Sequence, residues 1–209
     1  MKISLSRLIT LFSAMTFSFC SSLALAQSQQ TYSGWTLSTN VDQININHEV
    51  ANRPDVMVAD SATAIGLAGE YFRSDSNMIY AIGLNYIMYN DNNEFSQYVE
   101  DNWYNGRNYE ESDANAFMIF AEAGPKIYFG ADNLSFFSAR AGISAILGST
   151  RSISYCSDCY SEDININGGL YGALGIGHSF DRFDLSLQFQ QYFTGDIDNS
   201  LRLQVGFTF

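Results

Sequence analysis

The stretch "LRLQVGFTF", residues 201–209, alternates apolar and polar side chains without a break. Successive side chains of a β-strand point to opposite faces, so this period of two residues predicts a strand with one apolar face. The apolar face carries Leu201, Leu203, Val205, Phe207 and Phe209, and the other face carries Arg202, Gln204, Gly206 and Thr208. The segment is too regular to be a frayed tail.

The same period recurs throughout the chain. Most repeats are at least as long as the roughly 9–11 residues that a tilted strand needs to cross a bilayer. A helix is excluded because apolar residues recur at i+2 rather than at i+3 and i+4. Together with residues 201–209, the pattern predicts eight strands, the others being 34–41, 63–72, 78–89, 116–129, 134–147, 166–180 and 183–193.

The connections alternate in length along the chain. The long ones are 43–61, 90–113 and 149–163, followed by a shorter polar one at 195–199, and the short ones are 73–77, 130–133 and 181–182. Outer-membrane barrels combine long extracellular loops with short periplasmic turns. We therefore predict an all-β fold, an eight-stranded antiparallel transmembrane β-barrel in an up-and-down meander.

A soluble β-sandwich or a lipocalin-like barrel would also alternate. In such folds the face opposite the apolar one is charged, because it meets water. Here that face is mostly Gly, Ala, Ser, Asn and Gln, and aromatic residues such as Tyr71, Tyr86, Tyr128 and Phe207 lie near strand ends. Aromatic residues at strand ends are typical of the interfacial girdles of membrane barrels.

The pattern resembles the small eight-stranded outer-membrane barrels of Gram-negative bacteria, the group of the OmpA transmembrane domain, OmpX and the opacity proteins. The resemblance covers about residues 33–209, and its sharpest element is the last strand. It implies that Leu203, Val205, Phe207 and Phe209 form the signal that the barrel-assembly machinery recognises.

The beginning of the chain predicts export. Lys2 and Arg7 precede a mostly apolar stretch, and Ala24-Leu25-Ala26 is a cleavage site of the small-x-small type. We therefore expect a cleaved signal peptide at 1–26, a barrel domain at 27–209 and a place in the outer membrane. The alternative is a retained membrane anchor.

The charge balance excludes one class of partner and favours others. The chain has 10 Lys and Arg against 22 Asp and Glu, and removal of residues 1–26 takes away two bases and no acids, which changes the net charge from −12 to −14. No basic patch is left to neutralise phosphates, so nucleic acid is excluded as a partner. Divalent cations, basic partners, outer-membrane lipid and cation-bridged lipopolysaccharide are favoured. No cofactor is predicted, although acidic loops suit weak Ca²⁺ binding.

Cys156 and Cys159, in "CSDC", are the cysteines that remain after residues 1–26 are removed. In an exported protein this spacing predicts a disulfide that closes a small turn. A redox centre would need a βαβ setting, and a zinc site would need two more ligands; the sequence shows neither.

Charged residues on the inward face predict a closed interior. An eight-stranded barrel has room for little more than its own side chains, and single buried charges would each cost several kcal/mol. We therefore expect ion pairs in which Arg140 and Arg202 face Glu70 and Glu122. The full predicted lumen network is Glu70, Glu122, Lys126, Arg140, Asp184 and Arg202. The alternative is a small channel.

The two histidines give no catalytic pattern. Some barrels of this size are enzymes that modify lipid A, and the deacylase pattern is His-x-Ser-Asn. His178 departs from that pattern because Ser179 and Phe180 follow it directly, and His48 lies among loop acids without an oriented base. We predict no enzyme, with a lipid-A-modifying enzyme as the alternative.

Loop 90–113 is the candidate recognition surface. It holds seven acids and one base together with several aromatic residues. Exposed aromatics mixed with polar residues suit adhesion or ligand binding, including binding to a host surface or lipopolysaccharide. A mobile hydrated loop remains the alternative. The recognition candidates are Trp103, Tyr104, Arg107 and Tyr109.

Overall fold

The computed structural model describes residues 33–101, 106–131, 133–153, 158–180 and 183–209. The predicted signal peptide at 1–26 lies outside the described residues. Among these residues, no helix has the length and apolar character needed to cross a membrane. The elements are β1 (Gly34–Ile46), α1 (His48–Ala51), β2 (Val58–Arg73), β3 (Met78–Asp91), β4 (Ser96–Asp101), β5 (Gly106–Glu111), β6 (Asp113–Phe129), β7 (Ser135–Ser152), β8 (Ser161–Asp163), β9 (Leu170–Ser179), β10 (Phe183–Tyr192) and β11 (Ile197–Thr208).

Eight of these strands close into a barrel. They pair antiparallel in the order β1, β2, β3, β6, β7, β9, β10 and β11, and β11 pairs back with β1. At this seam Val41 lies opposite Leu203, and the Phe209 amide donates to the Trp35 carbonyl at 3.1 Å. The predicted closed eight-stranded antiparallel meander is confirmed. We call the end where β2 meets β3 the turn side and the opposite end the loop side.

The barrel carries apolar side chains outside and charges inside. In β11, Leu203 is 49% exposed while Arg202 is 1% exposed. The outer belt formed in this way includes Leu37, Ile65, Leu67, Ile82, Leu84, Ile119, Ile143, Leu174, Ile176, Leu187 and Leu201. Thr208, which was predicted to face the interior, is exposed beside Thr36 at the turn-side end, where the packed interior has ended.

The structure differs from the predicted strand ends on the loop side. β1 continues to Ile46 and β2 begins at Val58. The connection between these two strands is therefore 47–57, which is shorter than the predicted loop 43–61. The predicted start of the strand at residue 166 was wrong. β9 begins only at Leu170, and Ile166 is 4% exposed because residues 164–169 fold inward over the lumen. Loop 90–113 contains the hairpin β4–β5, which the sequence pattern had not predicted.

The lumen is filled in three layers. The middle layer holds the buried charges and amides that are described below. The turn-side layer is a cluster of Phe72, Ile79, Tyr128 and Phe136. The loop-side layer is a larger apolar cluster of Ile44, Ile46, Ala51, Val56, Val58, Ala62, Ala64, Ile87, Tyr89, Ala114, Ala116, Met118, Ile164, Ile166, Tyr171, Ala173, Tyr192 and Ile197.

Candidate functional site

Arg202 and Asp42 form a buried ion pair in the middle of the lumen. Arg202 Nε and Nη2 each donate to Asp42 Oδ2, at 3.1 and 3.0 Å, and the side chains are 2% and 0% exposed. Asn40 and Asn85 donate to the same carboxylate at 3.0 and 2.8 Å. The guanidinium carbon lies 4.2 Å from the centre of the Phe120 ring, where a cation–π contact adds to the pair. The Asp42 carboxylate is thus held by one charge and two amides.

Glu122 links this pair to a second arginine. Arg140 Nη1 donates to Glu122 Oε1 at 2.5 Å and to Glu70 Oε1 at 2.7 Å. Tyr171 donates its hydroxyl to Glu122 Oε2 at 2.8 Å, and Arg202 Nη1 lies 3.6 Å from the same oxygen. Gly142 makes room for the tyrosine, because a Cβ there would lie 2.3 Å from the Tyr171 ring.

Lys126 is enclosed near the turn side. Its Nζ donates to Asp184 at 2.8 Å, and its side chain is 6% exposed. The ammonium lies 3.9 Å from the centre of the Phe136 ring and 5.1 Å from that of Tyr128, so cation–π attraction supplements the ion pair. The aromatic cluster and this lysine close the turn side of the lumen.

The structure therefore brings the predicted charges together in two groups. Arg140 and Arg202 face Glu70 and Glu122, whereas Lys126 pairs with Asp184. Sequence reasoning missed the principal partner of Arg202, which is Asp42, together with the supporting amides and Tyr171. Extending the alternation of the first strand by one residue beyond Val41 would have placed Asp42 inside.

A cap formed by residues 47–57 and 164–168 covers the loop side. Ala51 and Val56, which belong to the cap, are fully buried. Arg151, which is 1% exposed, donates to the carbonyls of Val56 and Met57 at 2.8 and 3.0 Å, to Asp91 at 2.7 Å, and also to Glu162. One arginine thereby ties together two connections between barrel strands and the end of β3.

The hairpin β4–β5 presents an aromatic pair outside the barrel. Of the predicted recognition residues, Tyr109 is 74% exposed, and its ring lies 5.4 Å from that of Tyr98. Arg107 belongs to β5, while Trp103 and Tyr104 lie outside the described residues. The second aromatic of the pair, Tyr98, was not among the predicted recognition candidates, although it lies in the same loop.

The remaining predicted sites are isolated from one another. Cys159 is disulfide-bonded, but Cys156 lies outside the described residues, so their pairing stays a prediction. His178 Nδ1 lies 3.1 Å from Ser135 Oγ near the turn side, and His48 Nδ1 lies 2.7 Å from an Asp60 oxygen on the loop side. In the part of the chain that the structure describes, no three His, Cys, Asp or Glu side chains are grouped to hold a metal ion.

Comparisons with known proteins returned structural similarities alone. No family model and no curated protein sequence matches the chain. The chain is similar to the crystal structure of Ail, the attachment invasion locus protein of Yersinia pestis, with 11% identity and a TM-score of 0.43 over 85% of this chain and 97% of that one. The neisserial surface protein A, NspA, gives 10% identity and a TM-score of 0.43 over 85% and 97%. The β domain of the Bordetella autotransporter BrkA gives 11% identity and 0.34 over 85% and 99%.

Proposed function

We propose that this protein is a β-barrel of the outer membrane of a Gram-negative bacterium, with a structural role and with loops that bind partners at the cell surface. The observation that carries the proposal is the inverted distribution of side chains. Leucine and isoleucine form the outer belt, while fully buried Asp42 and Arg202 lie inside. An apolar outside suits lipid, and a closed barrel leaves no sheet edge unpaired there.

The proposed orientation places the loop side outside the cell and the turn side in the periplasm. Long connections belong to the extracellular side of such barrels, and the export predicted from residues 1–26 agrees with this placement. Lipopolysaccharide and outer-membrane lipid are then the immediate partners. Divalent cations would bridge the acidic loops to lipopolysaccharide phosphates.

The test of this function is fractionation combined with gel mobility. The protein should be found in the outer-membrane fraction, and its band should shift on heating, as expected for a barrel that resists detergent until boiled. Protease added to intact cells should cut within residues 90–113 and leave the turn side untouched. Recovery as a soluble periplasmic protein would contradict the proposal.

The closed lumen is part of the proposal and has its own prediction. Both ends of the interior are filled, by the apolar layer on the loop side and by the aromatic cluster around Lys126 on the turn side. We expect purified protein in planar bilayers to show no steady conductance on the nanosiemens scale. A large, stable open state would support the channel alternative instead.

We also propose a non-enzymatic role. His178 contacts Ser135 near the turn side, which is the periplasmic side in this orientation, whereas lipid A lies in the outer leaflet. His48 contacts Asp60, but its side chain is 77% exposed, so its ring lies in water and not in a closed site. Mass spectra of lipid A from cells with and without the gene should be the same, and a changed acyl pattern would favour the enzyme alternative.

Deleting Phe209 should impair assembly more than it harms the folded barrel. The residue is 83% exposed and contributes one backbone hydrogen bond to the seam, so the folded protein loses little. In the proposed role it ends the signal of Leu203, Val205 and Phe207. We expect reduced outer-membrane levels in cells but a near-normal unfolding midpoint after refolding in detergent. Normal cellular levels would contradict the assembly role.

A further inference from the structure

Four polar atoms inside the lumen are buried without a hydrogen bond to any other residue that the structure describes. They are Asn40 Oδ1, Arg140 Nε, Ser179 Oγ and Gln188 Nε2, and their residues are between 2% and 7% exposed. Buried polar groups are normally satisfied by protein or by ordered water. These atoms therefore mark a polar wall of the lumen, carried by β1, β7, β9 and β10, that requires further partners.

The Asn40 amide is held in one orientation by its neighbours. Its nitrogen donates to Asp42 Oδ1 at 3.0 Å and to Asn85 Oδ1 at 3.1 Å. An ionised carboxylate only accepts hydrogen bonds, so turning the amide over would place oxygen against oxygen. The Asn40 atom that requires a partner is therefore its oxygen, which is an acceptor.

A row of hydrogen bonds along β10 ends at Gln188. Ser200 Oγ donates to Gln190 Oε1 at 2.6 Å, and Gln190 Nε2 donates to Gln188 Oε1 at 3.2 Å. Both polar atoms of the Gln190 amide are thus bonded, whereas Gln188 Nε2 has no partner within the described part of the chain. Turning both amides over would reverse the row and leave the Gln188 oxygen over instead. In either orientation, the free atom of Gln188 points away from Gln190 and towards the turn side.

The inward residues on the turn side of Gln188 are in contact with water. Ser186 and Asp184 precede Gln188 on the same face of β10, and both are partly exposed. Ser186 lies inside the strand and not at its end, so water reaches it through the lumen, beside the aromatic cluster. The distance from Asp184 to Gln188 along the strand is about 13 Å. A narrow polar path thus leads from the turn side to the unpartnered amide.

We propose that this wall binds a short row of water molecules between Ser186, Gln188 and Asn40, with a further water at Arg140 Nε. The register supports the grouping, because Ser186 pairs with Gln204 on β11 and Gln204 pairs with Asn40 on β1. Water donates and accepts, so it satisfies the Asn40 oxygen and the Gln188 nitrogen alike. The ion pairs of the middle layer end the row, and the path is therefore blind. These waters would bind whatever partners the loops have.

The test measures magnetisation transfer from water protons to side-chain N–H groups by NMR. The full-length protein is labelled with ¹⁵N, refolded in phospholipid vesicles and held at mildly acidic pH, where proton exchange is slow. Gln188 Nε2 is compared with Gln190 Nε2, and Arg140 Nε with Arg202 Nε, which donates to Asp42. Because transfer falls with the sixth power of distance, a group bonded to water should receive it at least about fivefold faster than its bonded counterpart.

A substitution at Ser186 tests whether the row depends on this wall. Ser186→Val replaces the hydroxyl with apolar volume and should slow transfer to Gln188 Nε2 about threefold or more, because water requires several polar partners to stay bound. Leu187→Val changes the outward neighbour on the same strand and should leave the transfer unchanged. If Ser186→Val does not refold, the comparison of Gln188 with Gln190 in the unmodified protein still decides.

Each outcome of the comparison counts for or against the bound waters. Fast transfer to Gln188 and Arg140 with slow transfer to Gln190 and Arg202 supports them. Slow transfer to all four groups would mean that protein groups satisfy the free atoms, and it would overturn the proposal. Fast transfer to all four would mean that mobile water fills the lumen, which would overturn discrete binding at this wall.

Discussion

Replacing Arg202 with methionine is expected to lower the free energy of unfolding of the barrel by about 3–5 kcal/mol, the usual cost of breaking a buried ion pair by removing one partner. The middle layer contains three carboxylates, Asp42, Glu70 and Glu122, and two guanidiniums, Arg140 and Arg202. The change removes one positive charge from this group. Asp42, which is 0% exposed, then keeps two amide donors but has no cation beside it.

The measurement is a urea titration of the refolded protein in phospholipid vesicles. Arg73→Met is the matched control, because Arg73 pairs with Asp75 in full contact with water. The hydrogen bond from Arg73 lowers the pKa of Asp75, yet water and salt screen an exposed pair of this kind, so it contributes little to the free energy of unfolding. The control should therefore change stability little.

A double variant separates the ion pair from a general packing effect. Asp42→Asn together with Arg202→Met removes both charges and keeps a side chain that Asn40 and Asn85 can contact. We expect the double variant to recover more than half of the stability that Arg202→Met loses, because no unpaired charge remains on residue 42. If the double variant loses as much stability as Asp42→Asn and Arg202→Met lose separately when added together, the two side chains are not coupled, which would contradict this account.

The belt of the barrel was predictable because its pattern keeps one phase. In β1 the apolar side chains of Leu37 and Val41 point outward, and in β11 those of Leu201, Leu203 and Phe207 do so. The two strands that carry this pattern meet at the seam, where Val41 faces Leu203. A repeat of two residues is enough to fix which side chains face inward, so the inward direction of Arg140 and Arg202 followed from sequence.

The loop-side end was not predictable in the same way because the phase of the pattern reverses there. In β1, Val41 is exposed, whereas Ile44 and Ile46 are buried and Gln43 and Asn45 point outward. The strand keeps its geometry, but its outer face becomes polar and its inner face apolar. A search for one continuous apolar face therefore ends the strand at the reversal, and it ends one residue before Asp42.

The cap and the hairpin depend on contacts between distant parts of the chain. Arg151 receives its partners from residues near 56, 91 and 162, and no local spacing identifies them. The hairpin strands are short and acidic, and their apolar and polar residues alternate too weakly to distinguish a strand from a loop. The composition of residues 90–113 indicated exposure and negative charge, but it did not indicate that the rings of Tyr98 and Tyr109 would meet.

Replacing Arg151 with methionine is expected to loosen the cap while the barrel below remains closed. The guanidinium uses its donors on the carbonyls of Val56 and Met57 and on the carboxylates of Asp91 and Glu162. Methionine restores none of these bonds, and Asp91, whose side chain is 4% exposed, is left as a buried charge without its cation. The expected loss is about 3–5 kcal/mol in the free energy that holds the cap closed.

Hydrogen exchange in vesicles measures this loss directly. The amides of Val56 and Met57 both donate to the Arg53 carbonyl, at 2.9 and 3.0 Å, and should exchange at least about a hundredfold faster in Arg151→Met, since each 1.4 kcal/mol corresponds to a tenfold change. Amides of the β1–β11 seam should keep their protection, because the barrel hydrogen bonds are unaltered.

Arg53→Met is the graded control. It removes a hydrogen bond to the Asn165 carbonyl and an exposed ion pair with Asp55 but leaves no buried charge, so its effect should be much smaller. Equal acceleration in the seam and the cap would mean that Arg151 stabilises the whole barrel and would contradict a separate cap.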